Sequence, residues 1–464
     1  MKKNEEFFEG EAINQYCQHT NHLLTDITPG TIEAVQYEEK GEQQESTEQA
    51  REYYEKAGEM YSKAHKMDDS DVDSLYNWAR VLFLLMDYVP RHAPSEERLN
   101  LLDKSIDRFR KVLKLQPNNA DALFNLAQGL VVRADLVEDV DGIEDAHGEA
   151  AQALQEAVSL YESAYELQER LRAHHGSDNS TIAICKAPVT ALTLVETLTS
   201  LVDATKSLGE MLDQFEDIEL LYKAAMGKLS LAYGILADAN EPDDDTEITV
   251  HLYLAHASLL TTLADRTYTD TGKVDEKTYE TAIETLAKVL ALDPRNVEAH
   301  CDLGDLFGSY AQALLNSSTP DEKKIWELYT EATRNFQTAL EYEPDNCNTL
   351  YKLGDIHFTR AQLPLPIARK QKTQLLKSAE HWYKYIVDLD ANDIEGGWLP
   401  WAMSAWGLGT WTDHKEKLTE AEGVIKMWLE IGGTLDLLKE IGQDNVIMPD
   451  DFVIWASSLV TNSE

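Results

Sequence analysis

Along this chain apolar residues recur in a fixed helical order: a small residue, a large one four positions later, and a small or medium one three after that. The clearest instances are Ala282, Leu286, Val289 and Ala332, Phe336, Ala339, each followed five residues on by a proline, Pro294 and Pro344. Steps of four and three place such residues on one face of a helix. Proline, which lacks an N–H, stops that helix. Short turns (Arg295-Asn296 and Asp345-Asn346) then lead into helices that carry Leu303, Gly304, Phe307 and Leu353, Gly354, His357. The glycine in each lets two backbones approach closely.

The same order returns at Ala57, Tyr61, Ala64; at Ser105, Phe109, Val112, ending at Pro117; at Ala157, Tyr161, Ala164; and at Ala379, Tyr383, Ile386. The stops fall at about 69, 117, 294, 344 and 391, so adjacent ones lie near 48, 50 and 47 residues apart. The length beyond a compact two-helix unit sits between the helices of each pair, at 88–98, 136–148, 267–276, 317–324 and 363–370, which predicts longer helices with long loops along one edge. Two patterns, 187–208 and 215–238, lack the proline stop and read as a degenerate pair within 187–240. Asp243-Asp244-Asp245 precedes a helix over about 246–266, where carboxylates suit the positive helix end. The pattern divides the chain into a cap helix (5–24) and loose acidic segment over 1–46, a repeat array over 47–431, and a carboxy-terminal cap over 432–464. The last pair holds five of the nine tryptophans, Trp398, Trp401, Trp406, Trp411 and Trp428.

These residues resemble the tetratricopeptide (TPR-like) helical repeat superfamily, although its unit is usually about 34 residues. The resemblance implies an all-α fold, a right-handed superhelical array of about seven antiparallel helix pairs with cap helices at both ends. It also implies that the first helix of each pair lines a concave, protein-binding groove. On that register the groove residues are Tyr76, Asn77 and Arg80; Phe124, Asn125 and Gln128; Asp302 and Asp305; and Tyr351, Lys352 and Asp355. In helix layout alone the chain is also similar to the fungal translation-termination enhancer and nuclear adaptor family.

Composition changes the picture mainly through charge. Lys+Arg 41 against Asp+Glu 83 gives a net charge of −42. Such a field repels nucleic acid and anionic membranes and attracts basic proteins. Between Ala134 and Ala150 stand Asp135, Glu138, Asp139, Asp141, Glu144, Asp145 and Glu149 with no Lys or Arg. The run containing Asp243, Asp244 and Asp245 is a second acidic loop. The partner expected is therefore a protein, basic in character, for which a histone or a ribosomal protein is a candidate; no direct nucleic acid and no membrane is expected.

Candidate chemistry is sparse. Cys17-x-His19-x-x-His22 supplies three metal-capable residues and no completing cluster. Phosphate-binding, dinucleotide and nucleophile-elbow glycine motifs are absent from the sequence. Neither catalysis nor a cofactor is expected. The four cysteines, far apart and without CxxC spacing, suit a reducing compartment. With no apolar leader and no run of about 18 apolar residues, the expected location is cytoplasm and/or nucleus. The expected function is an adaptor or a dedicated chaperone or assembly factor for a basic client. The alternatives are a scaffold subunit of a larger complex, using an apolar patch near the tryptophans, or a co-chaperone that grips acidic heat-shock-chaperone termini. For the last, Asn77 and Asn125 stand in clamp-like places, but the partnering Lys and Arg do not.

Overall fold

A computed structural model describes residues 29–44, 46–90, 93–140, 143–174, 189–212, 214–239, 246–317, 320–394, 396–444 and 447–461. Every element among them is a helix: α1 (Pro29–Glu42), α2 (Thr47–Met67), α3 (Val72–Asp87), α4 (Ser95–Leu115), α5 (Ala120–Glu138), α6 (Ala146–His174), α7 (Ala191–Glu210), α8 (Phe215–Asp238), α9 (Thr246–Thr271), α10 (Glu276–Leu292), α11 (Val297–Leu315), α12 (Glu322–Tyr342), α13 (Cys347–Gln362), α14 (Pro366–Leu389), α15 (Trp398–Trp411), α16 (Glu416–Glu430), α17 (Leu435–Asp444) and α18 (Asp450–Thr461). The chain forms two compact units, Met1–Leu259 and Leu260–Glu464. The expected cap helix at 5–24 lies outside the described residues.

In the first unit each helix packs on its sequence neighbour from α1 through α8, most extensively within the pairs α1–α2, α3–α4, α5–α6 and α7–α8. The second unit continues in the same way with α11–α12, α13–α14 and α15–α16, and α18 packs on both α16 and α17. The small-large-small stripe is the core of both: Ala57, Tyr61, Ala64, Phe109, Val112, Ala157, Tyr161, Ala164, Ala282, Leu286, Val289, Ala332, Phe336, Ala339, Ala379, Tyr383 and Ile386 are all buried.

The turns between pairs are built the same way each time. Helices end at Leu115, Leu292 and Tyr342, the proline follows, and an asparagine then caps the next helix. Asn119, Asn296 and Asn346 accept from the backbone N–H of Ala122 (2.9 Å), Ala299 (2.8 Å) and Thr349 (2.8 Å). Each cap satisfies one of the donors that a helix start leaves unpaired.

Three features depart from the sequence pattern. Residues 29–42, read as loose, form α1 and give α2 its partner. The buried face of α1 is small and polar, with Thr31, Ala34 and Glu38, so it carries no apolar stripe to detect. The extra length of each repeat goes largely into helices rather than loops: α6 has 29 residues, α9 has 26 and α14 has 24. The tryptophans form no surface patch, because Trp398, Trp401, Trp406 and Trp428 are buried. Trp406 meets Trp411 and Phe452 edge to face, so α18 closes over the last pair.

Gly304 and Gly354 do what their position requires. A Cβ on Gly304 would stand 2.4 Å from the Phe336 ring, and one on Gly354 would stand 2.5 Å from the Tyr383 ring. Gly227, on exposed α8 surface, would meet nothing within 4 Å. Alanine at the two sites therefore acts in opposite directions. Gly354→Ala loses about 1–3 kcal/mol to overpacking, beyond the helix-propensity gain. Gly227→Ala gains up to about 1 kcal/mol. Urea unfolding midpoints measured beside wild type check both signs.

Candidate protein-binding face

The residues expected to line a groove lie on the first helix of successive pairs, in two sets. Tyr76, Asn77 and Arg80 are on α3 and Phe124, Asn125 and Gln128 on α5, within the first unit. Asp302 and Asp305 are on α11 and Tyr351, Lys352 and Asp355 on α13, within the second. All eleven are half-buried. Their partial exposure follows from register, since each flanks an apolar pair that faces the core: Trp78-Ala79, Leu126-Ala127, Leu303-Gly304 or Leu353-Gly354.

The structure joins several of these side chains across neighbouring repeats. Asn125 donates from Nδ2 to the Tyr76 hydroxyl at 2.6 Å. Lys352 donates from Nζ to Asp305 Oδ2, also at 2.6 Å. Tyr76 and Tyr351 place their ring edges against Phe109 and Tyr383, with centroids 5.7 Å apart in both cases. Phe124 does the same with Tyr161 at 5.3 Å. The aromatics therefore serve helix packing as well as the surface they border.

The charged members are paired inward. Arg80 is ion-paired with Glu38 on α1, and the Tyr61 hydroxyl donates to the same carboxylate. Sequence reasoning missed Glu38, whose signal was hidden in a stretch without apolar periodicity. Asp305 sits where burial raises its carboxyl above the ordinary range, and the charge and hydrogen bond of Lys352 pull it back only in part. Asp355 is pushed further, to about 7, by burial, against the stabilising hydrogen bond from the Tyr383 hydroxyl (2.5 Å). Burial also raises the Cys301 thiol, whose Sγ lies 3.1 Å from the Thr349 hydroxyl.

Another buried polar cluster escaped the sequence pattern. Arg360 on α13 lies over the Trp326 ring at 4.3 Å and donates to the hydroxyls of Thr333 (2.9 Å) and Thr330 (3.2 Å). Burial lowers its guanidinium to about 10. The neighbouring His357 falls to about 4, first through burial and then through the charge of Arg360.

The first acidic segment is an edge of two helices as much as a loop. Asp135 and Glu138 stand on α5, Asp139 caps it, Glu144 and Asp145 form the turn, and Glu149 stands in the first turn of α6; all six are exposed. Glu149 and Asp103 share Arg133 at 3.0 and 2.9 Å, and Glu138 lies 3.3 Å from His147. Asp141 and the trio Asp243, Asp244 and Asp245 lie outside the described residues, as do Cys17, His19 and His22. Among the described residues no group of three His, Cys, Asp or Glu is placed to hold a metal ion. No helix among them is long and apolar enough to cross a membrane.

A sequence profile of the plant-specific mitochondrial import receptor subunit TOM20 family matches residues 51–238. This match corrects the expectation of cytoplasm and/or nucleus, because the family it reaches is a mitochondrial import receptor subunit. No curated protein matches the sequence. Among solved structures, the chain is similar to YrrB, described as a TPR protein with an unusual peptide-binding site, at 16% identity and TM-score 0.31 over 61% of this chain and 97% of that one. It is similar to the S. pombe nuclear import adaptor Nro1 at 15% identity and TM-score 0.39, over 72% and 99%. It is also similar to a monomeric IFIT1 mutant with Gppp-AAAA at 12% and 0.37, over 98% and 94%. The described residues form an all-α array of successive helix pairs.

The Asp355 carboxyl gives a pH signature. Its folded form binds the proton more tightly than the unfolded chain, whose value is near 3.8. The stability it supports is whole below about 4 and is lost as pH rises through about 7. Asp355→Asn removes that dependence. Subtracting its urea-unfolding free energies from those of wild type between pH 4 and 8 should leave a difference that moves steadily against wild type as pH rises.

Proposed function

We propose that this chain is a protein-protein interaction adaptor or dedicated chaperone that holds a basic, Lys/Arg-rich client. The repeat fold supports the coarse part of this reading: stacked helix pairs present long faces that suit an extended protein ligand. The observation that carries the finer part is the α5–α6 edge, where six carboxylates are exposed, with Arg133 beside Glu149 and His147 beside Glu138, in a chain of charge −42.

The two surfaces divide the work. The acidic edge draws the client in, since a field of one sign raises the rate of encounter with its opposite. Tyr76, Asn125 and their neighbours on α3 and α5 then hold it, offering amide and hydroxyl groups beside aromatic faces. The Tyr76–Asn125 bond keeps these groups in place before the client arrives, which lowers the entropic cost of binding. Asp355 and Arg80 contribute by shaping the face, because their charges are already answered by Tyr383 and by Glu38 with Tyr61.

The test uses the full chain and fluorescent poly-L-lysine of about 20 residues. Binding should weaken steeply as salt rises. Neutralising Glu138, Asp139, Glu144 and Asp145 together (E138Q, D139N, E144Q, D145N) should reduce affinity about tenfold at low salt, from four exposed charges each worth a few tenths of a kcal/mol to 1 kcal/mol. Affinity indifferent to salt, or untouched by the four substitutions, removes the basic client from the reading.

A further inference from the structure

One helix runs against the net charge of the chain. In a chain of −42, α14 carries Arg369, Lys370, Lys372, Lys377 and Lys384 against Glu380 and Asp388. Glu380 is held by Lys417 at 2.8 Å, and Asp388 stands in the last turn. The positions matter more than the count. Lys370, Lys377 and Lys384 follow one another in steps of seven, about two turns each, so they form nearly one line along the helix, and all three are exposed. Gln374 and His381, also exposed, fill the gaps between them. The line runs about 21 Å at 1.5 Å per residue.

Among the described residues, Lys370 and Lys377 form no ion pair. Lys384 lies over the Trp401 ring at 5.3 Å, and Lys372 over the Trp411 ring at 5.1 Å. The start of α14 leaves its dipole uncompensated. Pro366 suits the first position, but no acidic residue stands in the first turn and Leu365 gives no side-chain cap, while Arg369 and Lys370 follow at once. Cations near a helix amino terminus oppose the helix dipole. Arg369 and Lys372 crowd each other as well, and Arg369's charge adds to burial in lowering the Lys372 ammonium. An anionic occupant would relieve each of these costs together.

We propose that the exposed face of α14, the line Lys370, Lys377, Lys384 with Arg369 at its head, docks an acidic segment of a partner protein. Charge complementarity sets the chemistry of the occupant: carboxylates spaced along an extended or helical segment of about 15 to 20 residues would match the line. A longer polyanion such as RNA or an anionic membrane would carry the same charge into the field of the remaining surface, which repels it. The face belongs to the second helix of its pair, so it is separate from the candidate residues on α11 and α13 of the same unit. The inference does not rest on the basic-client reading. Together the two would make the chain a bridge between partners of opposite charge.

The experiment measures fluorescence anisotropy of labelled poly-L-glutamate, about 20 residues long, with the full chain at low salt. Wild type should bind, and K370E/K377E/K384E should lose about tenfold or more in affinity while keeping its far-ultraviolet circular dichroism. A control reversal, K56E/K63E/K223E, changes three exposed lysines on α2 and α8 that sit in ion pairs within their own helices. It should bind as wild type does. Absence of poly-L-glutamate binding, equal loss in both variants, or tighter binding of oligouridylate of the same length would each overturn the proposal.

Discussion

The contact between a small residue on the first helix of a pair and an aromatic ring on the second is what the rest of this structure depends on. Gly304 against Phe336 and Gly354 against Tyr383 bring backbone to ring with no room for a methyl group. Where alanine takes the small place, as at Ala79, the ring of Phe109 lies in the same core and Ser105 beside it donates to the Ala79 carbonyl at 2.7 Å. Close packing of this kind gathers many weak dispersion contacts at one point and sets the depth at which two helices meet. The flanking residues, Asn77, Arg80, Asp305 and Asp355 among them, inherit their half-buried position from it.

That inheritance explains why so much of the candidate face is internally bonded. A half-buried carboxylate or guanidinium must find a partner or shift its proton affinity. The structure uses both answers: Glu38 takes Arg80 and Tyr61, Asp265 accepts from Tyr279 at 2.6 Å, and Asp355 accepts from Tyr383 while its proton affinity rises. The exposed surface is left to the outer faces of the helices and to the edges, and that is where net charge of either sign collects.

The sequence revealed the parts of the fold that repeat and hid those that do not. The stripe Ala332, Phe336, Ala339 and its counterparts announced the core because burial and helical periodicity coincide there. The turns were legible through proline, though the asparagine caps at 119, 296 and 346 emerged only with the backbone in view. Helix α1 was invisible because its buried face uses Thr31 and Glu38, which read as solvent-exposed residues. The candidate face was legible as a register, since positions on one helix face follow from spacing alone. Its bonding was not, because the partners are far apart in sequence: Tyr76 and Asn125 by 49 residues, Lys352 and Asp305 by 47. The charge line on α14 needed burial to separate Lys370, Lys377 and Lys384 from the cations around them.

The tyrosine and carboxylate pairs bear on how such a chain can change over generations. At the second-helix aromatic place, Phe109 and Phe336 need no polar neighbour, whereas Tyr383 leans on Asp355. Exchanging Tyr383 for phenylalanine first would strand a buried carboxyl without its donor, while exchanging Asp355 first would strand a hydroxyl, which is the milder loss. Drift between the two kinds of repeat therefore has a preferred order, in which the acid changes before the ring.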